Sequence, residues 1–189
     1  MALFIAVASV TTVSFFADRV ESALNNQANE LIAADVVVTS DKPIDARFYQ
    51  EARRLKLTEA EATTFPSMVA GDEARGQGVN LAEIKAITPG FPLRGKIRIA
   101  DVQGGVDRDA TGIPAPGTAW VPDVLLTRIN AQVGDELKVG AIKLKIAALV
   151  VKEPDNVLDY MGIAPRVMLN ANDLAATKQI GRASCRERV

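Results

Sequence analysis

The sequence contains no histidine and only one cysteine, Cys185, among its 189 residues. Without histidine, the chain lacks the commonest metal ligand and the side chain most used for general acid–base chemistry near neutral pH. A single cysteine can form neither an internal disulfide nor a zinc site of clustered cysteine and histidine ligands. These absences argue against a hydrolytic or metal-dependent enzyme.

The charged residues also show no pattern that indicates a binding or catalytic site. The net charge is -1, and no stretch gathers lysine and arginine at high density, so the sequence predicts no nucleic-acid partner. The 23 acidic residues include no pair that stands out by spacing. The glycines of residues 71–78 do not form a phosphate-binding loop, because no helix pattern follows them. We therefore predict that the chain is not an enzyme, and we name no catalytic, cofactor-binding or metal-binding residue and no cofactor.

Residues 1–16 (MALFIAVASVTTVSFF) form an uncharged run in which serine and threonine are the only polar residues. A bilayer-spanning helix needs about 20 apolar residues, so the run is slightly short. It has no basic region before it and no good cleavage site after it, as a signal peptide would. A buried core helix is a further alternative. We favour a partial transmembrane helix whose beginning is missing.

The next residues continue the helical pattern. Val20, Leu24, Ala28 and Leu31 recur at helical spacing, and no proline or glycine interrupts residues 16–32. We predict a helical stalk over residues 17–33 that leaves the membrane and continues into solvent. An amphipathic helix packed on its own domain is the plainer alternative.

Residues 180–189 (IGRASCRERV) have neither helical nor strand periodicity. Reverse translation as ATC GGA AGA GCG TCG TGT AGG GAA AGA GTG resembles a common sequencing-adaptor read. We therefore predict that these ten residues are an adaptor artefact and exclude them from the interpretation of the fold. On this interpretation Cys185 carries no information about the redox compartment.

Between the two ends, 48% hydrophobic and 24% charged residues indicate a folded globular protein. A β-branched run predicts a buried strand over 34–39, and apolar spacing predicts a surface helix over 44–55 lying on a sheet. The remaining predicted elements are strands at 60–70 and 79–88, a turn at 89–95, a strand at 96–100, an exposed loop at 101–117, a strand at 118–121, a helix at 122–129, a hairpin at 136–139 and 142–146, a strand at 166–169, and a helix capped by Asn170 or Asn172. Strands and helices do not alternate regularly, so the predicted fold is α+β, with a small β-rich subdomain.

Seven segments together resemble a known family, in the family's order and over almost the whole chain. They are residues 7–13 (VASVTTV) with 16–20 (FADRV), 31–37 (LIAADVV), 83–95 (EIKAITPGFPLRG), 112–121 (GIPAPGTAWV), 133–135 (VGD), 152–155 (KEPD) and 164–170 (APRVMLN). The family is the FtsX/MacB-type ABC transporter permeases, and most nearly the YbbP-like ones. The resemblance implies that residues 17–179 form a MacB-like periplasmic core domain. It is lost after residue 177.

This resemblance implies a permease subunit in the bacterial inner membrane with its main domain in the periplasm. ATP would be hydrolysed by a separate cytosolic ABC ATPase subunit, and the domain would use that energy for export or other envelope work on lipid-like substrates. The alternative is an FtsX-like regulatory module that controls envelope enzymes through a periplasmic protein partner, with the loop at 101–117 as its docking surface. A third hypothesis, an exported enzyme, has no catalytic constellation to support it.

Overall fold

A single long helix precedes the folded domain. The computed structural model describes residues 2–155, 164–179 and 186–188. Helix α1 (Ala2–Ile32) runs without a break for 31 residues, because no proline or glycine interrupts it. Its extent matches the continuous helix predicted across residues 16–32. Among the described residues, no helix has both the length and the hydropathy needed to cross a membrane.

The domain is built on one mixed sheet. Its strands in the described residues are β1 (Thr39–Ser40), β2 (Ala62–Ala70), β3 (Val79–Ile87), β4 (Arg98–Ala100), β5 (Arg108–Asp109), β6 (Thr118–Pro122), β7 (Glu136–Val139), β8 (Ile142–Lys152), β9 (Arg166–Asn170) and β10 (Arg186–Arg188). Their order is β1-β10-β2-β3-β9-β6-β8-β4-β5, and β7 pairs with both β2 and β8. Only β3–β9 and β6–β8 are parallel among these pairs. Short helices α2 (Ala46–Arg54), α3 (Asp123–Ile129) and α4 (Ala171–Leu174) complete a mixed α+β domain, as predicted.

The two faces of the sheet carry separate cores. On one face the side chains of α3 pack against Phe65, Ile84, Leu144 and Leu169. On the other face a smaller core surrounds the buried side chain of Trp120. This second core is covered by chain from the turn at 89–95 and the loop at 101–117 rather than by a helix, since Phe91 and Ile113 pack on it.

Two sequence predictions near α1 were wrong. Residues 34–39 form no buried strand: only Thr39–Ser40 is extended and paired, and Val36 is 72% exposed. A β-branched run favours extension, but a strand also needs a neighbour with which to pair. Helix α2 exists, capped by Asp45, but none of its residues is fully buried and Phe48 is half exposed. It therefore does not lie on the sheet as predicted.

The other main elements follow the sequence pattern. Strands β2 and β3 form the predicted antiparallel hairpin, and β7 and β8 form the second one. The side chain of Asn170, rather than Asn172, caps α4 by accepting a hydrogen bond from the Asn172 backbone N–H. The predicted β-rich subdomain is not a separate sheet, because β7 pairs with β2 at Val69.

The ten residues that the sequence analysis excluded from the fold include a short strand. Residues 186–188 form β10, which pairs with β1 and β2, whereas residues 180–185 and 189 lie outside the described residues. Backbone pairing along the open edge of β2 requires no alternating side-chain pattern, so periodicity could not reveal it. The adaptor interpretation of residues 180–189 stays a prediction, which resequencing of trimmed source DNA would test.

Candidate functional site: a buried ion cluster beside the end of the long helix

A lysine is buried in the middle of the sheet. Alternation along β3 sends Ile84 and Ala86 into the core beneath α3, so Lys85 points to the opposite face together with Ile87. The Lys85 side chain is only 1% exposed. A buried lysine is costly unless it is paired, so its partners are the first thing to establish.

Two carboxylates that follow the end of β8 bind this lysine. The Lys85 Nζ atom donates to Glu153 Oε1 and to both Asp155 oxygens, at 2.7 Å and 2.8 Å. The carboxylate side chains are as buried as the lysine, with 1% and 4% exposure. Lys85 therefore connects the central strand β3 to the segment that leaves β8.

An arginine on the neighbouring strand completes the cluster. Parallel register places Arg166 of β9 beside Glu83 of β3, and Arg166 Nε donates to Glu83 Oε2 at 2.6 Å. Arg166 Nη1 also donates to Glu153 Oε2 at 3.3 Å and lies 3.8 Å from Asp155. We call Glu83, Lys85, Glu153, Asp155 and Arg166 the ion cluster. Its three carboxylates and two cations carry one net negative charge when all are ionised.

Burial and pairing together shift the pKa values of Glu153 and Asp155 in opposite directions. Burial raises the pKa of Glu153, and the neighbouring Asp155 adds to this effect. Burial would raise the pKa of Asp155 as well, but attraction to Lys85 and the hydrogen bonds from it outweigh burial, so this pKa lies below its ordinary value. Burial likewise opposes the charge of Arg166, yet Glu153 and Glu83 outweigh it and raise its pKa. The same buried site therefore disfavours the charge of Glu153 and favours the charge of Asp155.

An aromatic ring closes the cluster toward the turn at residues 88–95. The Lys85 ammonium lies 4.2 Å from the centroid of the Phe91 ring, within the range of a cation–π interaction. We call residues 88–95 the junction turn. Phe91 also packs on the smaller core, so the ring is held between apolar side chains and the lysine.

The same turn holds the end of α1. Ala33, with φ of 58°, ends the helix in a left-handed conformation, and its carbonyl accepts a 2.9 Å hydrogen bond from the Arg94 backbone N–H. The Arg94 guanidinium donates two hydrogen bonds to Asp35, at 2.9 Å and 2.8 Å. Ala33 and Ala34 are both buried. The helix is thus fixed to the domain by backbone and side chain at one place.

A small cleft joins the helix end to the ion cluster. We call it the junction cleft; its volume is about 30 Å³ and it is lined by Ile32, Ala33, Ala34, Val37, Ala60, Ala62, Phe91, Leu93 and Asp155. A space of this size holds a water molecule rather than a substrate. The cleft therefore suits a packing contact between the helix end and the domain. In the described residues, including the ion cluster, no group of three or more acidic or cysteine side chains is arranged to hold a metal ion.

Comparison with known proteins finds a relative that matches almost the whole chain. No protein-family model matches it. It is 30% identical over 179 residues to the uncharacterized ABC transporter permease YbbP of Escherichia coli (strain K12), and the match covers 94% of this chain. The chain is a relative of ABC transporter permeases. The resemblance stated from the sequence motifs is therefore confirmed, although the chain spans only 20% of the length of that permease.

A solved structure is also similar to this permease segment. It is the crystal structure of a domain of a protein assigned as a permease, from Porphyromonas gingivalis. The two share 15% sequence identity with a TM-score of 0.43, and the match covers 70% of this chain and 60% of the other.

Sequence reasoning named no site residue in the permease segment and missed the ion cluster. Two of its quoted motifs, residues 83–95 and 152–155, nevertheless contain five of the six side chains at the site's centre, which are Glu83, Lys85, Phe91, Glu153 and Asp155. The sixth, Arg166, lies in the quoted motif 164–170. In β3 Lys85 alternates with the apolar residues Ile84 and Ala86, which is also the pattern of a lysine that faces solvent, so the strand alone does not indicate burial. Its partners are about 70 residues away, at Glu153 and Asp155, so only the fold reveals the pairing.

Proposed function

We propose that this chain is the extracytoplasmic part of an FtsX/MacB-type ABC permease subunit, which couples ATP hydrolysis by a separate cytosolic subunit to export or envelope work on lipid-like substrates. Residues 1–16 would lie in the inner membrane, residues 17–33 would form the stalk, and residues 17–179 would form a MacB-like domain in the periplasm. The observation that carries the proposal is α1, which is unbroken and is fixed at its end to the junction turn.

The geometry of α1 supports a mechanical role. At 1.5 Å per residue, its 31 residues span about 46 Å, longer than the roughly 30 Å hydrocarbon core of a bilayer. A helix without a break moves as one body, so displacement at one end reaches the other. The ion pair between Asp35 and Arg94 and the backbone bond to Ala33 would pass that displacement to the domain.

The apolar surface of α1 supports contact with lipid. Phe4, Val7, Val13, Phe15 and Phe16 are each more than half exposed in the structure. Arg19 lies over the Phe15 ring, 4.8 Å from its centroid. Aromatic residues followed by a cation are typical of the place where a helix passes from hydrocarbon to headgroups. We therefore propose that the membrane surface lies near residues 15–19.

Leu24→Pro in the full-length permease tests the coupling proposal, with Leu24→Ala as the matched control. Proline removes a backbone hydrogen bond and kinks the helix, whereas alanine keeps it straight. We expect Leu24→Pro to co-purify with the ABC ATPase subunit but to fail in restoring function to a strain that lacks the gene. Equal complementation by the two variants would contradict the proposal.

The regulatory alternative is favoured by one observation, the exposed apolar side chains of the loop at 101–117. Val102 is 60% exposed and Val106 is 93% exposed. The double change Val102→Ser and Val106→Ser keeps the loop and removes its apolar surface. If the loop docks a periplasmic partner, this variant loses complementation; if the chain works through α1 alone, complementation is unchanged.

A further inference from the structure

The junction turn contacts two features that would otherwise be independent. On one side, Arg94 binds the end of α1 through Ala33 and Asp35. On the other side, three residues earlier, Phe91 covers the Lys85 ammonium at 4.2 Å. One short segment therefore touches both the helix end and the centre of the ion cluster.

The junction cleft gives a second link between the same two features. Ala33 and Ala34 line the cleft from the helix side, and Asp155, a direct ligand of Lys85, lines it from the domain side. The cleft has room for about one water molecule, so a bulky side chain placed in it would press on Phe91 or Asp155, which line it. Movement of the helix end away from the domain would expose the sides of Phe91 and Asp155 that face the cleft.

The cluster has the properties of an element with two states. A buried network whose every member is paired is stable, but uncovering it allows water to replace protein ligands one by one. The side chains of Lys85, Glu153 and Asp155 are each 4% exposed or less, so a small displacement changes their hydration greatly. An apolar contact at the same place would give no such abrupt response.

We propose that the junction turn couples the position of α1 to the hydration of the ion cluster: displacing the helix end withdraws Phe91 from Lys85 and releases the segment Glu153–Asp155 from β3. The inference rests on the proposed function only for the source of the force, and it can be tested on this chain without an ATPase. Failure of the test would therefore leave the permease proposal standing.

Amine labelling of the full chain measures the release directly. Ala34→Trp places a large side chain where the cleft has no room and so pushes the helix end outward. Val36→Trp is the matched control, because Val36 is 72% exposed and its replacement needs no space inside. Pulse acetylation with acetic anhydride, followed by mass spectrometry, gives the rate at Lys85 relative to the exposed Lys138.

We expect acetylation of Lys85 to rise about tenfold in Ala34→Trp, which corresponds to a modest shift of a local opening equilibrium, and to be unchanged in Val36→Trp. Loss of protection of the Arg94 backbone amide from hydrogen exchange should accompany the rise. Equal Lys85 labelling in the two variants would overturn the proposal. If Ala34→Trp loses its circular dichroism, Arg94→Ala is used instead, and an unchanged rate at Lys85 in that variant overturns the proposal in the same way.

Discussion

At the scale of single residues, the sheet buries a group of charged side chains at a place where apolar side chains could stabilise the fold equally well. Lys85, Glu153 and Asp155 meet inside the sheet face that also holds Trp120 and Met168. Replacement of a buried ion pair by apolar residues is often neutral or stabilising, so stability alone does not explain the cluster. The proposed coupling to the end of α1 would account for the place of the cluster beside Phe91 and the junction cleft.

Lys85→Met tests how much the ion cluster contributes to the stability of the fold. The change leaves the buried carboxylates of Glu153 and Asp155 with Arg166 as their remaining cation in the ion cluster. We therefore expect a loss of about 3 kcal/mol in the free energy of unfolding, measured with urea. Lys143→Met is the control, because Lys143 pairs with Glu136 on the exposed face of β8 and should matter much less. Similar losses in the free energy of unfolding of the two variants would show that the buried cluster stabilises the fold no more than an exposed ion pair does.

Asp135 gives a prediction about pH. A hydrogen bond from the Gln132 backbone N–H and further ones from Gln77 and Arg75 hold the pKa of Asp135 below its ordinary value. Because the folded-state pKa is lowered, this carboxylate stabilises the fold above its unfolded-state pKa, and the stabilisation is lost as the pH falls through the folded-state pKa. The Tm of Asp135→Asn should therefore fall less than the Tm of the wild type when the pH is lowered below about pH 4. Parallel curves of Tm against pH for the two proteins would contradict this.

At the scale of elements, local patterns predicted what local physics decides. Alternation of Ile142, Leu144 and Ile146 with lysines predicted the β7–β8 hairpin and its buried face, and the polar, glycine-rich connector at 71–78 predicted the β2–β3 hairpin. The prediction of a strand at 34–39 was wrong because strand formation also requires a partner strand, and the sequence of residues 34–39 does not show whether one is present. The ion cluster could not be predicted for the same reason: its members come from β3, β9 and the end of β8.

The β7–β8 hairpin offers a prediction at this scale. Gly140, at φ of 56°, lies so close to the Thr177 carbonyl and the Gln179 side chain that an added methyl group would clash with them. Gly117 has a φ of 79° but no atom near the place of a methyl group. Both Gly→Ala changes force a left-handed alanine, at about 1 kcal/mol, but only Gly140→Ala also separates the hairpin from the turn Ala175–Thr177. Thermal unfolding should show a clearly larger loss of Tm for Gly140→Ala; an equal loss would mean that the contact is unimportant.

At the scale of the whole molecule, the central claim is that α1 and the domain move as linked parts of a permease. The similarity to an ABC transporter permease covers 94% of the chain. The junction turn contacts Ala33 and Asp35 on one side and Lys85 on the other, and we propose that the linkage occurs there. Residues 156–163, which follow Asp155, lie outside the described residues, so the linkage is defined from α1, β3 and the junction turn.

Hydrogen exchange in the full-length permease, reconstituted with its ABC ATPase subunit, tests this claim most directly. Exchange of the amides of residues 88–95 is compared with and without a non-hydrolysable ATP analogue, in the wild type and in Leu24→Pro. We expect the analogue to change protection of these amides in the wild type and to leave it unchanged in Leu24→Pro, because the kinked helix no longer transmits movement. Identical exchange with and without bound analogue in the wild type would contradict the account.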